Sequence, residues 1–364
     1  QRGQRLVMAH SLSGGLDRHA ERYLALAPGS DAAFLNGVAA RMLERHPDRV
    51  GALSGVDGFE AWRGSLEAYA PSKVEEHTGL GGSEIEWVAD TLAAAERPVI
   101  VVATGLGMPG DEVVAARAAV QLAAVLGDEA GVMLLGEHTN VQGLVDVGVH
   151  PDLLPGHRGA ADADLRAEVE RLTGAALPGR AGRPLQEALT AVARGETRTL
   201  WMVGVDALNA MPRQYTAEAA CAGAGRMIVQ DAFLTEESRW ADVVLPVALL
   251  SERGGSTVAC DGVARTLRPA LPAPGVPQDG QLIAELSRRL GVRTPEGEAL
   301  AREMGQLIQW PVPRPQLRRL VPAPELGAAE SVQGFLLDAS PQLFHSGSLT
   351  AHSRHLQEIS PTVA

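Results

Sequence analysis

Short apolar runs alternate along this chain with longer segments in which apolar residues recur every three or four positions. The short runs predict strands at residues 5–9, 98–103, 131–135, 199–203, 227–230 and 243–245. The periodic segments predict helices at residues 16–26, 31–45, 84–95, 111–126, 184–192 and 280–290. Strands that alternate with helices predict an α/β fold with mainly parallel sheets in Rossmann-type layers flanked by helices, and the strand at 98–103 is expected to be buried.

Proline-rich and glycine-rich stretches separate these elements. Residues 269–277 contain four prolines and residues 310–324 contain five, so both stretches are predicted connectors. Residues 140–157 are predicted to form a glycine-rich loop. The predicted domains are residues 1–130 and 131–325, both α/β, and residues 326–364, which begin a barrel-like C-terminal domain. Because the chain lacks an initial methionine and ends within that last unit, we expect it to be a fragment.

The charge, the cysteine content and the apolar runs of the chain argue against several classes of function. The 364 residues carry a formal net charge of −12, and an acidic surface disfavours binding to nucleic acid phosphates. The two cysteines, Cys221 and Cys260, form no C-x-x-C motif, which argues against a disulfide framework, a zinc cluster or a four-cysteine iron–sulfur site. The longest apolar runs, 99–103 and 243–250, are far shorter than the roughly 20 residues of a membrane helix. We therefore expect no direct membrane insertion.

A glycine motif follows the strand at 98–103. Residues Gly105 to Gly110 read Gly-Leu-Gly-Met-Pro-Gly, and the position between a strand and a helix is that of a dinucleotide-binding fingerprint. However, Pro109 has no N–H group to offer a pyrophosphate, and no carboxylate follows at the place where a ribose would be bound. The motif is therefore predicted to be a structural turn, while an NAD-binding Rossmann enzyme stays open as an alternative.

Other candidate chemistry is sparse. Five histidines (His10, His19, His138, His150 and His157) stand in no H-E-x-x-H pattern, so no metal site is predicted. No G-x-S-x-G elbow is present, and no catalytic residue is assigned. Asp231 and Glu236 follow a predicted strand, where α/β proteins place ligand contacts, but they could equally cap the next helix together with Thr235.

Three segments in order resemble the molybdopterin oxidoreductase family. Residues 140–156 contain Asn-Val-Gln-Gly followed by Asp-Val-Gly and Leu-Pro-Gly, and residues 229–246 read VQDAFLTE and then ADVVLP. Residues 282–291 are similar to the helix that follows in the family. In addition to these three segments, residues 343–350 resemble the opening of the family's C-terminal barrel domain. The resemblance implies the family's dinucleotide-holding α/β region. The vestigial pterin-facing candidates that it implies are Asn140, Gln142, Gly143, Gly204, Asp206, Asp231, Thr235 and Glu236.

The chain departs from the pattern of active family members at several strand ends. Ala9-His10-Ser11 stands where formate dehydrogenases have Asp-Pro-Arg, and Gly136-Glu137 stands where they have a substrate-binding arginine. Their Gly-Glu-Asn-Pro loop is Gly204-Val205-Asp206-Ala207 here, and a further polar loop is replaced over residues 255–262. These losses remove groups that an anionic dinucleotide needs. We therefore expect no molybdenum, tungsten or iron–sulfur cluster within this chain.

The resemblance with these losses favours the branch of the family found in respiratory NADH:quinone oxidoreductase (complex I), where the fold persists without molybdenum. It implies a scaffold in the cytoplasmic peripheral arm, in contact with other subunits of that arm, at the inner membrane surface. Clusters of the 4Fe–4S or 2Fe–2S type are then expected N-terminal to this segment. The alternative is a molybdenum-dependent oxidoreductase such as formate dehydrogenase, which would bind molybdopterin guanine dinucleotide. In either case, the loops at 140–143, 204–206 and 231–236 are expected to converge.

Overall fold

A computed structural model describes residues 4–49, 53–103, 112–136, 138–210, 216–309, 312 and 319–327. The glycine motif at 105–110, Glu137 and the predicted barrel-like residues after 327 lie outside the described residues, so the predictions made for them stay predictions. The described chain forms two compact units. The first comprises described residues within 1–137 and 314–341, and the second comprises those within 138–313.

Helices and strands alternate in both units. The helices are α1 (Asp31–Arg45), α2 (Phe59–Ser65), α3 (Pro71–Thr78), α4 (Gly82–Ala93), α5 (Glu112–Leu126), α6 (Val141–Asp146), α7 (Ala163–Thr173), α8 (Leu185–Ala193), α9 (Ala207–Ala210), α10 (Ala217–Gly223), α11 (Asp279–Arg289) and α12 (Gly297–Leu307). The strands are β1 (Val7–His10), β2 (Arg22–Ala25), β3 (Val99–Val102), β4 (Gly131–Leu134), β5 (Leu153–Leu154), β6 (Arg158–Gly159), β7 (Thr199–Val203), β8 (Arg226–Asp231), β9 (Val243–Pro246), β10 (Gly255–Val258) and β11 (Ala264–Leu267). None of the described helices is long and apolar enough to cross a membrane.

The first unit packs helices around α1. Strands β1 and β2 pair in parallel, as do β3 and β4, and α1 packs against α3, α4 and α5. The inward face of α1 contributes Val38 and Met42, which are fully buried in a core that also contains Trp62 and Leu122. Strand β4 begins just after the predicted boundary at residue 130 and pairs with β3 of this unit. The predicted domain limits themselves remain predictions.

Residues 319–327, here named the strap, return to the first unit from far along the sequence. Leu320 is fully buried in the core of that unit, and its N–H donates to the carbonyl of Asp57 at 2.8 Å. The carbonyl of Leu320 approaches Gly58 so closely that a Cβ atom added there would lie 2.2 Å from it. Gly58 also has φ +77°, a left-handed conformation that glycine adopts without steric cost. A side chain at position 58 would therefore clash with the strap carbonyl and would also strain the backbone.

The second unit is built on a parallel sheet in the order β7–β8–β9. Helices α8 and α10 pack together, and their buried residues Leu189, Val192, Ala220 and Cys221 form a core with Met227 and Val229 of β8. Strands β10 and β11 form an antiparallel hairpin. The structure thus has the mixed α/β organisation with small parallel sheets that the sequence predicts.

Three local predictions are wrong. The helix predicted at 16–26 is a short 3-10 turn followed by β2, because residues 22–25 pair with β1 and tertiary pairing outweighs local periodicity. The loop predicted at 140–157 contains α6 and the short pair β5–β6. The strand predicted to be buried at 98–103 is half open, because β4 is its neighbour in a two-stranded sheet and Val99 and Val101 are each 55% exposed.

Replacing Gly58 by alanine should lower the free energy of unfolding more than replacing Gly79. Both glycines have similar positive φ angles, +77° and +73°, but a Cβ at Gly79 meets no atom within 4 Å. We expect Gly79→Ala to cost about 1 kcal/mol for backbone strain alone. Gly58→Ala should cost about 1–3 kcal/mol more, because its Cβ collides with the strap carbonyl. Equal losses in chemical denaturation would contradict the packing described here.

Candidate functional site

The carboxyl ends of β7 and β8 bring two of the predicted loops side by side. Val203 pairs with Gln230, and the N–H of Gly204 continues the pairing by donating to the Gln230 carbonyl at 2.9 Å. Gly204 has φ +59°, so the chain turns away from β7 directly after this bond. Asp231 ends β8, and its carboxylate accepts the N–H of Phe233 at 3.0 Å. Open parallel sheets bind ligands at such an edge.

Glu237 ties these two loops together, a role that the sequence analysis missed. Its side chain is fully buried, and Oε1 accepts the backbone N–H of Leu208 at the start of α9 with a distance of 2.8 Å. The 3-10 turn that carries Glu237 (Glu236–Trp240) packs against α9, α10 and β8. A carboxylate at a helix N-terminus is electrostatically favourable. Glu237, which directly follows Glu236, thus anchors the segment after Asp206.

Several buried polar atoms near this edge have no hydrogen-bond partner among the described residues. They are Thr216 Oγ1, Thr235 Oγ1, Ser238 Oγ, Gln230 Oε1 and Glu237 Oε2. Thr235 begins the 3-10 turn without using its hydroxyl as a cap, and Thr216 precedes α10 with φ +54°, an uncommon conformation for threonine. Because buried polar groups are normally paired, these oxygens are the atoms near this edge that a buried water or a bound group would have to satisfy.

The Asn140 loop is fastened to β10 of the second unit. Asn140 adopts φ +65° immediately before α6, and its Oδ1 accepts the N–H of Val258 in β10 at 2.9 Å. Gly143 lies under this amide, since a Cβ at Gly143 would be 2.1 Å from Asn140 Oδ1. The Asn-Val-Gln-Gly motif therefore requires asparagine and glycine for its own folding, whatever else it binds.

Gln142 also points inward. Its Nε2 donates to Asp146 Oδ1 at 2.7 Å, and the same oxygen lies 2.5 Å from His157 Nε2. Asp146 is almost fully buried, and its backbone carbonyl accepts the N–H of Gly156 at 2.8 Å. His157 has φ +62°, which is strained for a residue with a Cβ. These hydrogen bonds hold the segment from α6 to His157 together through contacts within the segment.

The eight predicted site residues thus divide into two groups. Gly204, Asp206, Asp231, Thr235 and Glu236 belong to the joined loops at the β7–β8 edge, where Glu236 also forms a 2.6 Å ion pair with Arg239. Asn140, Gln142 and Gly143 belong to the loop fastened to β10, and their side-chain contacts are internal. Among the described residues, no group of histidine, cysteine and acidic side chains is arranged to hold a metal ion.

In the first unit, His10 and Asp17 lie at the end of β1, where the sequence analysis places a departure from the pattern of formate dehydrogenases. His10 Nε2 lies 2.9 Å from Asp17 Oδ1, and the other oxygen of Asp17 accepts the Gly14 N–H at 2.5 Å. The His10 ring also packs against Tyr23 with the ring centroids 5.0 Å apart. The loop after β1 therefore satisfies its polar groups internally.

A molybdopterin oxidoreductase profile matches residues 16–289, about three quarters of the chain. This match includes most of both units and the β7–β8 edge described above. The chain belongs to the molybdopterin oxidoreductase family.

Two proteins similar to this chain are a formate dehydrogenase and an NADPH-Fe(3+) oxidoreductase subunit. Formate dehydrogenase H of Escherichia coli (strain K12) is 31% identical over 75% of this chain and 39% of its own length. The NADPH-Fe(3+) oxidoreductase subunit alpha of Geobacter sulfurreducens is 26% identical over 98% of this chain and 44% of its own length. The chain therefore spans less than half the length of these relatives.

A solved structure supports the fold. Acetylene hydratase from Pelobacter acetylenicus superposes with a TM-score of 0.58 at 20% identity, over 80% of this chain and 43% of that chain. At this identity the likeness concerns the fold alone.

A double-mutant cycle should detect the packing of Asn140 on Gly143. Gly143→Ala in the natural sequence should cost about 2 kcal/mol, because its Cβ displaces the Asn140 amide from Val258. In an Asn140→Gly background, which keeps the positive φ available, the same substitution should cost at least about 1 kcal/mol less. Thermal or denaturant unfolding of the four chains measures the coupling. Additive losses would show that the two residues do not meet.

Thiol reactivity should distinguish the two cysteines. Burial, and secondarily the charge of Glu237, raises the pKa of the Cys221 thiol to about 11, whereas Cys260 is exposed. Because the thiolate is the reactive species, the folded protein should release one equivalent with a chromogenic disulfide at pH 8. A second equivalent should appear after denaturation. Cys260→Ser should remove the fast phase.

Proposed function

We propose that this chain is the pterin-holding portion of a molybdenum-dependent oxidoreductase of the formate dehydrogenase type. The family membership and the 31% identity to a formate dehydrogenase support this proposal. The observation that carries it is the set of buried, unpaired oxygens at the β7–β8 edge. Ordered water or a bound group would have to pair these oxygens, because each buried oxygen left unpaired costs about 1–3 kcal/mol.

The residues at this edge suit the heterocyclic parts of a pterin dinucleotide. Pterin and guanine rings carry several N–H donors, and the edge offers hydroxyl and carboxylate oxygens that can accept them. Thr235 and Asp231 on one loop and Asp206 on the adjoining loop would hold the rings, while Glu237 positions the two loops. When bound, the molybdenum centre supplies two-electron redox chemistry. The chain's own residues bind and orient the organic part of the group.

A second candidate function is the scaffold region of the large iron–sulfur subunit of NADH:quinone oxidoreductase. It is favoured by the internal use of the family's motif residues: the Asn140 amide binds Val258, the Gln142 amide binds Asp146, and His10 binds Asp17. In this case the β7–β8 edge would contact other subunits of the peripheral arm on the cytoplasmic side of the membrane. The chain would then hold no molybdenum.

Metal and pterin content distinguish the two candidates. The protein that contains this chain, produced together with molybdopterin biosynthesis enzymes, should retain stoichiometric molybdenum and pterin after gel filtration. Elemental analysis measures the metal, and the fluorescence of the oxidised pterin measures the organic part. A folded protein that retains neither would exclude the first proposal and favour the scaffold.

A matched pair of variants locates the bound group. Thr235→Val removes a buried hydroxyl at the edge and should lower pterin retention several-fold at equal yield of folded protein. Thr190→Val is the control, because its hydroxyl donates only to the Gln186 carbonyl on the same helix. Equal retention by both variants would place the cofactor contacts elsewhere.

A further inference from the structure

The strap has the contacts of a bound peptide. Four hydrogen bonds hold its backbone: the N–H groups of Leu320 and Ala323 donate to Asp57 O and Ser65 Oγ, both at 2.8 Å, and the carbonyls of Val321 and Pro324 accept from Gln121 Nε2 at 3.0 Å and Tyr69 Oη at 2.8 Å. Three of the four partners are side chains of the first unit. Recognition of main-chain atoms by fixed side chains is how peptide-binding grooves hold extended ligands.

The receptor side chains are rigidly placed. Tyr69 is 1% exposed, and its hydroxyl also accepts a hydrogen bond from Asn36 Nδ2 at 3.3 Å. Gln121 is 4% exposed on α5, and Ser65 Oγ also contacts the carbonyl of Trp62 at 2.5 Å. Because these groups are buried and oriented by neighbours, they lose little conformational entropy when the strap binds.

One strap side chain provides the anchor. Leu320 is fully buried, whereas the ion pair between Arg319 and Asp57 is long, at 3.5 Å, and joins side chains more than 70% exposed. Such an exposed pair contributes little. The strap reads Arg-Leu-Val-Pro-Ala-Pro-Glu-Leu-Gly, and its prolines remove N–H groups that would otherwise need partners. They also restrict the free segment to extended conformations.

We propose that the groove formed by Asp57, Gly58, Ser65, Tyr69 and Gln121 is a peptide-recognition site whose ligand is the chain's own strap, bound as an exchangeable element. The strap closes the first unit by binding in cis, where a tethered segment has an effective concentration on the order of millimolar. A groove of modest affinity therefore stays filled in the intact chain. Release of the strap opens the groove without unfolding α1.

Hydrogen exchange of the unaltered protein tests exchangeability. The amides of Leu320 and Ala323 should exchange through an opening that leaves the α1 amides of Val38 and Met42 protected, so their rates should differ by at least about tenfold. Exchange of strap and α1 amides at one common rate would overturn the proposal, since the strap would then be part of the global core. This measurement requires no substitution.

Peptide binding tests recognition. A labelled peptide with the sequence of residues 319–327 should bind saturably to the full chain carrying Leu320→Asp, and at least about tenfold more weakly to the unaltered chain, whose groove is filled. A peptide with the same Leu320→Asp change should not bind. Adding Gly58→Ala to the variant chain should abolish binding, because the Cβ occupies the carbonyl position of Leu320.

Leu271→Asp is the control chain, because Leu271 is 55% exposed in the second unit. This chain should bind the peptide no better than the unaltered one. Failure of the peptide to bind a folded Leu320→Asp chain would overturn the proposal. If that chain does not fold, the hydrogen-exchange comparison decides.

Discussion

The parallel backbone pairing of β7 with β8 determines where the loops of the candidate site can lie. The ladder runs from Thr199 and Arg226 to Val203 and Gln230, and the Gly204 N–H adds one more bond before the chain turns. Both strands therefore end at the same level, and the loops that carry Asp206 and Asp231 must leave the sheet beside each other. A slip of one residue would turn Met227 and Val229, which belong to the core of the second unit, to the opposite face of the sheet. The core of the second unit thus fixes the site's register.

The site's second requirement is that its loops be held by groups other than the ligand. Glu237 meets this requirement between β8 and α9, because a fully buried carboxylate accepts the Leu208 N–H. Asn140 and Asp146 do the same for the loop around α6. Side chains used in this way are unavailable to a ligand, so a shared family motif can persist for folding even where binding is lost. Motif identity alone therefore does not establish cofactor binding.

Much of the fold follows from local pattern, and the exceptions have physical causes. Helix α1 and strand β7 have the bounds predicted for them. The apolar residues of α1 recur with helical periodicity, and β7 is a short apolar run that begins and ends with β-branched residues. Residues 22–25 instead form a strand, because β1 offers them a ladder that sequence periodicity cannot reveal. The strap was predicted only as a proline-rich connector, since its partners Asp57 and Tyr69 lie more than 250 residues away. Glu237 was missed because its partner, the N–H of Leu208, belongs to a different loop 29 residues away.

The side chains at the β7–β8 edge suit the rings of a dinucleotide better than its phosphates. Apart from Arg239, which is paired with Glu236, the side chains named at this edge carry oxygens: the hydroxyls of Thr216, Thr235 and Ser238, which can both donate and accept, and the carboxylate of Asp231. Acceptors match the N–H groups of a heterocycle, whereas phosphates require cations or free backbone N–H groups. A group bound at the β7–β8 edge would therefore gain its affinity from its rings.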